Sequence, residues 1–326
     1  MQEIRWGSIG CGNVMKIKSR PALQNIEHSE LVGVMRRKGQ LAKGFAQRHG
    51  VQKWFDNAEK LVNDPDINAI YIATPPDTHL HYTRLAAQAG KPIYVEKPMA
   101  NSYAQCLEMV DICNQLEIPL FVAYYRRALP RFLKVKQIID SGQLGEIKEV
   151  QVQLLQPAKE NDMAGQPNWR VNPKIAGCGY FCDLASHIFD LLQFLLGDIK
   201  HASGTTKNIG QHYEAEDFVQ ADFQFKNGVH GSGTWNFNHD SDWDRTKIIG
   251  TRGEVEYTHF AEADVTVRTK TREKHFEIPN PLHIQQPLIQ LIVDQLRGVG
   301  KCPSTGVSAS STNWIMDSVL GRMSST

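Results

Sequence analysis

The chain has 326 residues, of which 41% are hydrophobic and 22% charged, ordinary globular usage with enough apolar surface for two cores. Its 36 Lys and Arg against 35 Asp and Glu leave a net charge of +1, without the basic excess of a nucleic-acid binder. No apolar run reaches the roughly 20 residues that cross a membrane, and the first residues lack the zones of a signal peptide, so a cytoplasmic protein is expected.

Taken in chain order, the first third alternates strands with helices. Ile4 to Ile9 is an apolar run closed by Gly10-Cys11-Gly12, and a helical stretch follows. Leu31 to Met35 reads as a strand, and Gln40 to His49 as a helix with Gly50 as its C-cap. Ala69 to Ala73 is an apolar run with no polar residue facing out, as in a strand buried on both faces of a parallel sheet. His79 to Gln88, Ile93 to Val95, Tyr103 to Gln115 and Leu120 to Ala123 continue the alternation. Residues 1–123 are therefore expected to form an α/β domain, a doubly wound parallel sheet of Rossmann type.

From residue 124 the pattern changes, and 124–326 is expected to be a substrate-binding and dimerisation domain of α+β type. A helix from Arg131 to Asp140 leads to a strand at Ile147 to Leu155, a polar loop from Pro157 to Lys174, and a strongly apolar helix from Tyr180 to Leu196. Short alternating segments then run from Ala202 to Ile278, joined by turns such as Lys226-Asn227-Gly228, and predict a large, open, mostly antiparallel sheet. Helices from Pro287 to Arg297 and from Ser308 to Gly321 close the chain. With helices for one face only, the other face of that sheet is the expected interface of a homodimer or homotetramer. Val229 to Phe237, with Trp235 and Phe237 alternating, is the candidate stretch for it.

Gly10-Cys11-Gly12-Asn13-Val14-Met15 lies between the first strand and first helix. There the backbone N–H groups of a helix start can receive a pyrophosphate, and glycines let it approach; Met15 stands where the fingerprint has its third glycine. A second strand that ends in an acid binds the ribose hydroxyl of NAD, whereas arginine accommodates the 2′-phosphate of NADP. Here that strand runs into Arg36-Arg37-Lys38, so NADP is the expected cofactor, with NAD as the alternative. Six cysteines are sparse for this length and are expected as reduced thiols. Cys178 and Cys182 stand four apart near Asp183 and His187, but no second ligand pair accompanies them, so packed thiols rather than a metal site are expected.

Thr74-Pro75-Pro76-Asp77-Thr78-His79 follows the third buried strand, Glu96-Lys97-Pro98 the next, and Asp183-Leu184-Ala185-Ser186-His187 comes far downstream. With Leu144-Gly145-Glu146-Ile147 and the final Pro303 to Asp317 segment, the chain resembles the glucose–fructose oxidoreductase and inositol dehydrogenase family, Gfo/Idh/MocA, over nearly its whole length. The resemblance implies that Lys97 is the proton donor or acceptor and that Glu96 faces the nicotinamide ribose, with a cis bond before Pro98. It implies that Asp183 and His187, four apart on one helical face, orient the substrate and relay the proton. It adds Thr74, Pro75, His79 and Arg126 to the cofactor contacts, and Tyr125, Trp169 and Arg170 to the substrate contacts. The chain departs from the family pattern at Cys178, inside the usual glycine run, at Ala185, and at Tyr125, where many members carry Asn.

The function expected is hydride transfer between the nicotinamide and a sugar, polyol or related small carbonyl or alcohol. Two alternatives stand beside it: glycoside cleavage through transient oxidation by a tightly held NAD, and a nucleotide-sensing regulator without turnover. Arg36 and Arg37 argue against the first, and Lys97, Asp183 and His187 together against the second.

Overall fold

All four residues of Ala69–Ile72 are buried, so this strand must have neighbours and helices on every side. It is β4 of a six-stranded sheet built with β1 (Ile4–Ile9), β2 (Ser29–Met35), β3 (Lys53–Phe55), β5 (Ile93–Val95) and β6 (Leu120–Val122). The order is β3-β2-β1-β4-β5-β6, and each neighbouring pair is parallel. The order therefore reverses between β1 and β4, the point where such sheets receive ligands outside the carboxyl ends of their strands. Edge strand β3 spans three partly exposed residues, too few for periodicity to reveal from the sequence.

The computed structural model describes residues 1–323. The chain divides into two units, Met1–Tyr125 with Pro281–Ser310, and Arg126–Asn280 with Ser311 onward. The contiguous division at 123/124 thus needs correction, because residues 281–310 return to the first unit. Their ties there are specific: Phe121 bridges to Thr305, and the Ser304 hydroxyl donates to the Val122 carbonyl at 2.8 Å.

The second unit holds an eight-stranded sheet of β7 (Ile147–Leu155), β8 (Ile199–Lys207), β9 (Phe218–Phe225), β10 (His230–Asn236), β11 (Trp243–Gly250), β12 (Gly253–Tyr257), β13 (Val265–Thr269) and β14 (Glu273–Phe276). Its order is β14-β13-β12-β11-β7-β10-β9-β8, antiparallel except for the β7–β10 pair. The Gly179–Leu196 helix covers one face. There Phe181 and Phe189 meet the Trp235 ring with centroids 5.2 and 5.3 Å apart.

That contact overturns the expectation for Val229 to Phe237. Trp235 and Phe237 are buried against the helices rather than displayed on the open face. Gly231 and Gly233 share their side of β10, and a Cβ at either would collide with the Phe223 or Trp235 ring, so both glycines make room for aromatic packing. The open face instead carries Gln151, Gln153, Gln220, Asp222 and Ser232, all exposed. Charge pairs cross its far strands, Arg245 to Glu256 at 2.7 Å and Lys247 to Glu254 at 2.9 Å.

Candidate functional site

In the first unit the chain leaves β1 through Gly10 with φ +98°, a left-handed conformation that side chains rarely adopt. A Cβ there would stand 2.7 Å from the Ala73 carbonyl oxygen, so only glycine lets the turns after β1 and β4 lie this close. Gly12 has open space where a Cβ would be, which leaves its backbone approachable. The helix begins with a π turn at Met15–Ser19, whose wider ring gives room for the fully buried Met15 in place of the third fingerprint glycine.

A cleft of about 420 Å³ opens over this turn. It is lined by Gly10 and Gly12, by Arg36 and Arg37 from the end of β2, and by Thr74 and Pro75 from the end of β4. Six of the expected cofactor positions thus meet in one cleft; Asn13 and Val14 lie at the helix start, outside its lining. A dinucleotide fits these groups. The glycine backbone suits a pyrophosphate, and the cations leave no acid to claim a free 2′-hydroxyl.

Glu96 follows β5 and is buried. Its Oε1 accepts from the Tyr71 hydroxyl at 2.6 Å and from Gln285 Nε2 at 2.9 Å. Tyr71 shares a 2.5 Å hydrogen bond with Ser19, so Ser19 donates there. Burial, then the Glu96 charge, push the Tyr71 phenol well above its ordinary pKa, which keeps it a donor. The half-buried Lys97 comes next, and the bond to Pro98 is cis. His79 is fully buried. Its Nδ1 lies 3.1 Å from the Pro98 and Met99 carbonyl oxygens, and its Nε2 lies 2.8 Å from that of Thr74. Burial holds its pKa below the ordinary imidazole value. His79 therefore lies between the Thr74 turn and the Lys97-Pro98 turn, and its neutral ring, with one N–H, donates to the backbone of one of them. Tyr125, at the end of this unit, is buried with Lys18 Nζ 6.0 Å from its ring centroid.

In the second unit Asp183 and His187 ride the Gly179–Leu196 helix one turn apart. Arg170 Nε lies 3.2 Å from Asp183 Oδ2, while the Arg170 guanidinium rests 4.6 Å from the ring centroid of Trp169, itself 39% exposed. His187 is buried, edge-on to Phe260 at 6.2 Å. The structure thus brings Asp183, Arg170 and Trp169 together. Arg126 is buried, its Nε donating to the His259 carbonyl at 3.1 Å and its guanidinium 4.5 Å from the Phe260 ring centroid.

Cys178 and Cys182, expected as separate reduced thiols, form a disulfide. Cys178 caps the helix outside helical geometry, which brings its Cα to 5.1 Å from that of Cys182, within disulfide reach. Among the described residues no cluster of three metal-ligating side chains exists.

Several supporting residues escaped the sequence reading. Gln285 meets Glu96 from 189 residues away, and no local signal marks it. Asp190 had one: an acid inside an apolar helix needs a partner. Arg127 supplies it through two 2.8 Å contacts, Nε to Oδ2 and Nη2 to Oδ1, with both side chains buried. Asp162, 2% exposed, accepts from the Tyr180 hydroxyl at 2.7 Å and from the Asn168 backbone N–H, so it ties the polar loop to the helix.

Residues 4–124 match the model of the oxidoreductase family with an NAD-binding Rossmann fold, and residues 132–256 match the GFO/IDH/MocA C-terminal domain. The chain is 38% identical to oxidoreductase P35 of Formosa agariphila over 320 residues, 98% of each protein. It is 25% identical to 1,5-anhydro-D-fructose reductase of Ensifer adhaerens over 93% of this chain and 91% of that protein. Levoglucosan dehydrogenase, solved with NADH and levoglucosan, has the same fold, with a TM-score of 0.86 at 22% identity over 98% of this chain and 97% of that one. Among the described residues, no helix is long and apolar enough to cross a membrane.

Proposed function

This chain belongs to the Gfo/Idh/MocA family of NAD(P)-dependent oxidoreductases, and from that premise we propose that it moves a hydride between NADP, preferred over NAD, and a sugar or polyol. The observation that carries the cofactor reading is the cleft in which Arg36 and Arg37 stand beside Gly10 and Gly12 with no acid at the end of β2. The names of the relatives, an anhydrofructose reductase and a levoglucosan dehydrogenase, support a sugar-like substrate.

The nicotinamide, when bound, supplies or takes the hydride. Glu96, fixed by Tyr71 and Gln285, presents its second oxygen toward the Lys97 backbone N–H, 3.3 Å away, and contributes to ribose binding. Lys97 Nζ gives or takes the proton of the substrate oxygen, a role worth about 10² to 10⁴ in rate. The Asp183 carboxylate, held by Arg170, accepts from substrate hydroxyls, and His187 relays the proton. Tyr125, Trp169 and Arg170 contribute to substrate binding, and Arg126 to the cofactor side. We assign the homodimer or homotetramer to the polar open face of the eight-stranded sheet, with micromolar solution mass as the check; a strict monomer refutes it.

The reading is tested by following NADPH oxidation and NADP⁺ reduction with a panel of sugars and polyols. Turnover that scales with enzyme and is lost in Lys97→Ala supports it. A cofactor that stays bound and unconsumed while a glycoside is cleaved, or no turnover across the panel, refutes it.

A further inference from the structure

Lys159 lies in the polar loop after β7, in none of the roles so far described. Its ammonium sits 3.6 Å from the centroid of the Tyr180 ring, one turn before Asp183 on the helix, although the residue remains exposed. The Tyr180 ring is held by its hydroxyl, which donates to buried Asp162 at 2.7 Å. Ring contact replaces part of the ammonium's hydration without supplying an acceptor oxygen. Among the described residues, Lys159 Nζ has no hydrogen bond or ion pair with a side-chain or backbone oxygen. Burial of the amine, with Arg170 adding to it, holds its pKa below the ordinary lysine value against the pull of Asp183 and Asp162. A lysine that only capped the surface would turn its head into water.

The neighbouring charges point the same way. Arg170 pairs with Asp183 and leans on Trp169, and the charge of Asp183 also reaches Lys159. Asp162 already accepts two hydrogen bonds and faces the interior. Ammonium and guanidinium groups donate only, so a neutral sugar hydroxyl offers them a weak acceptor and an anionic oxygen a strong one.

We propose that Lys159 is a substrate-binding residue which, with Arg170, selects a sugar carrying an anionic oxygen group, either a sugar acid or a sulfated sugar, over the neutral sugar. This rests on the sugar oxidoreductase reading above, but its test is separable, because it reads binding rather than turnover.

Glucose, glucuronate and glucose 6-sulfate are titrated calorimetrically into the full-length protein, with and without NADP⁺. At least one anionic form is expected to bind about 10-fold or more tightly than glucose, the scale of a charge-assisted hydrogen bond. Lys159→Met closes that gap, and Lys159→Arg, which keeps the charge, retains most of it; a thermal melt verifies that both variants fold. Equal affinities, no binding of either anionic form, or a gap that survives Lys159→Met overturns the proposal. The carboxylate and sulfate arms tell the two ligand sources apart. Failure of the parent reading shows elsewhere, as cofactor that no sugar consumes.

Discussion

Glu96 and Lys97 follow a fully buried strand, and their surroundings are set by hydrogen bonds from Tyr71, Gln285 and the His79 ring that water hardly reaches. Asp183 is held differently. Its Arg170 partner is 31% exposed and its own side chain 22%, and its neighbours arrive from an irregular loop pinned through Asp162. The first arrangement is largely shielded from solvent; the second is open to screening by salt and to a change of one charge in the loop. A fold in which Lys97 follows a buried strand while loop residues surround Asp183 can vary that loop without disturbing the strand.

The sharpest way to break that contrast is Lys97→Ala. Turnover should fall by about 10² to 10⁴ while the melting temperature and cofactor affinity barely change. Near-normal turnover on the best substrate would make Lys97 structural and reopen the regulator alternative.

Next comes the buried pair that the second unit does possess. Arg127→Met takes away the ion-pair partner of buried Asp190, whose pKa burial already raises, at a cost of about 3–5 kcal/mol in stability. Denaturant unfolding measures it. A loss below about 1 kcal/mol, the level of a surface pair, would erase the distinction between Asp190 and Asp183.

Cofactor choice is a smaller effect. Arg36→Asp should weaken NADPH binding by about 10- to 100-fold and improve NADH, read by fluorescence titration. Wild-type protein that binds NADH as tightly as NADPH contradicts the reading of the β2 terminus.

The smallest effect is on pH. His259 is fully buried, and burial, with Arg126 and Arg131 beside it, holds its pKa well below the ordinary 6.5. A depressed base means that the unfolded chain binds the extra proton. Its contribution is therefore complete above about pH 6.5 and is lost as pH falls below that value. His259→Gln should flatten the acid limb of the stability curve by about one proton, about 1.4 kcal/mol per pH unit. Parallel curves for the two proteins would show that His259 titrates normally. His79 is depressed in the same direction, so His79→Gln tests the first unit in the same way.

Much of this was legible along the chain. Ala69–Ile72 carries no charged residue, the glycine turn follows an apolar strand, and Arg36-Arg37-Lys38 follows the second strand with no acid among them. Each of these depends on a few consecutive residues, whose period and propensity are local properties. The boundaries of β1, β7, β9 and β13 fall where alternation and turn residues place them. What the tertiary structure alone decided is of another kind. In β10, alternation separates Ser232 and Thr234 from Gly233 and Trp235, but a period of two is the same from either side. Only the packing of the Gly179–Leu196 helix makes the Trp235 side the inner one. The return of residues 281–310 to the first unit, Gln285 on Glu96, Arg127 on Asp190 and Lys159 over Tyr180 all join segments whose local patterns are complete without each other. Such contacts are chosen by what the whole fold brings together, because the energy that selects them exists only after the chain has closed.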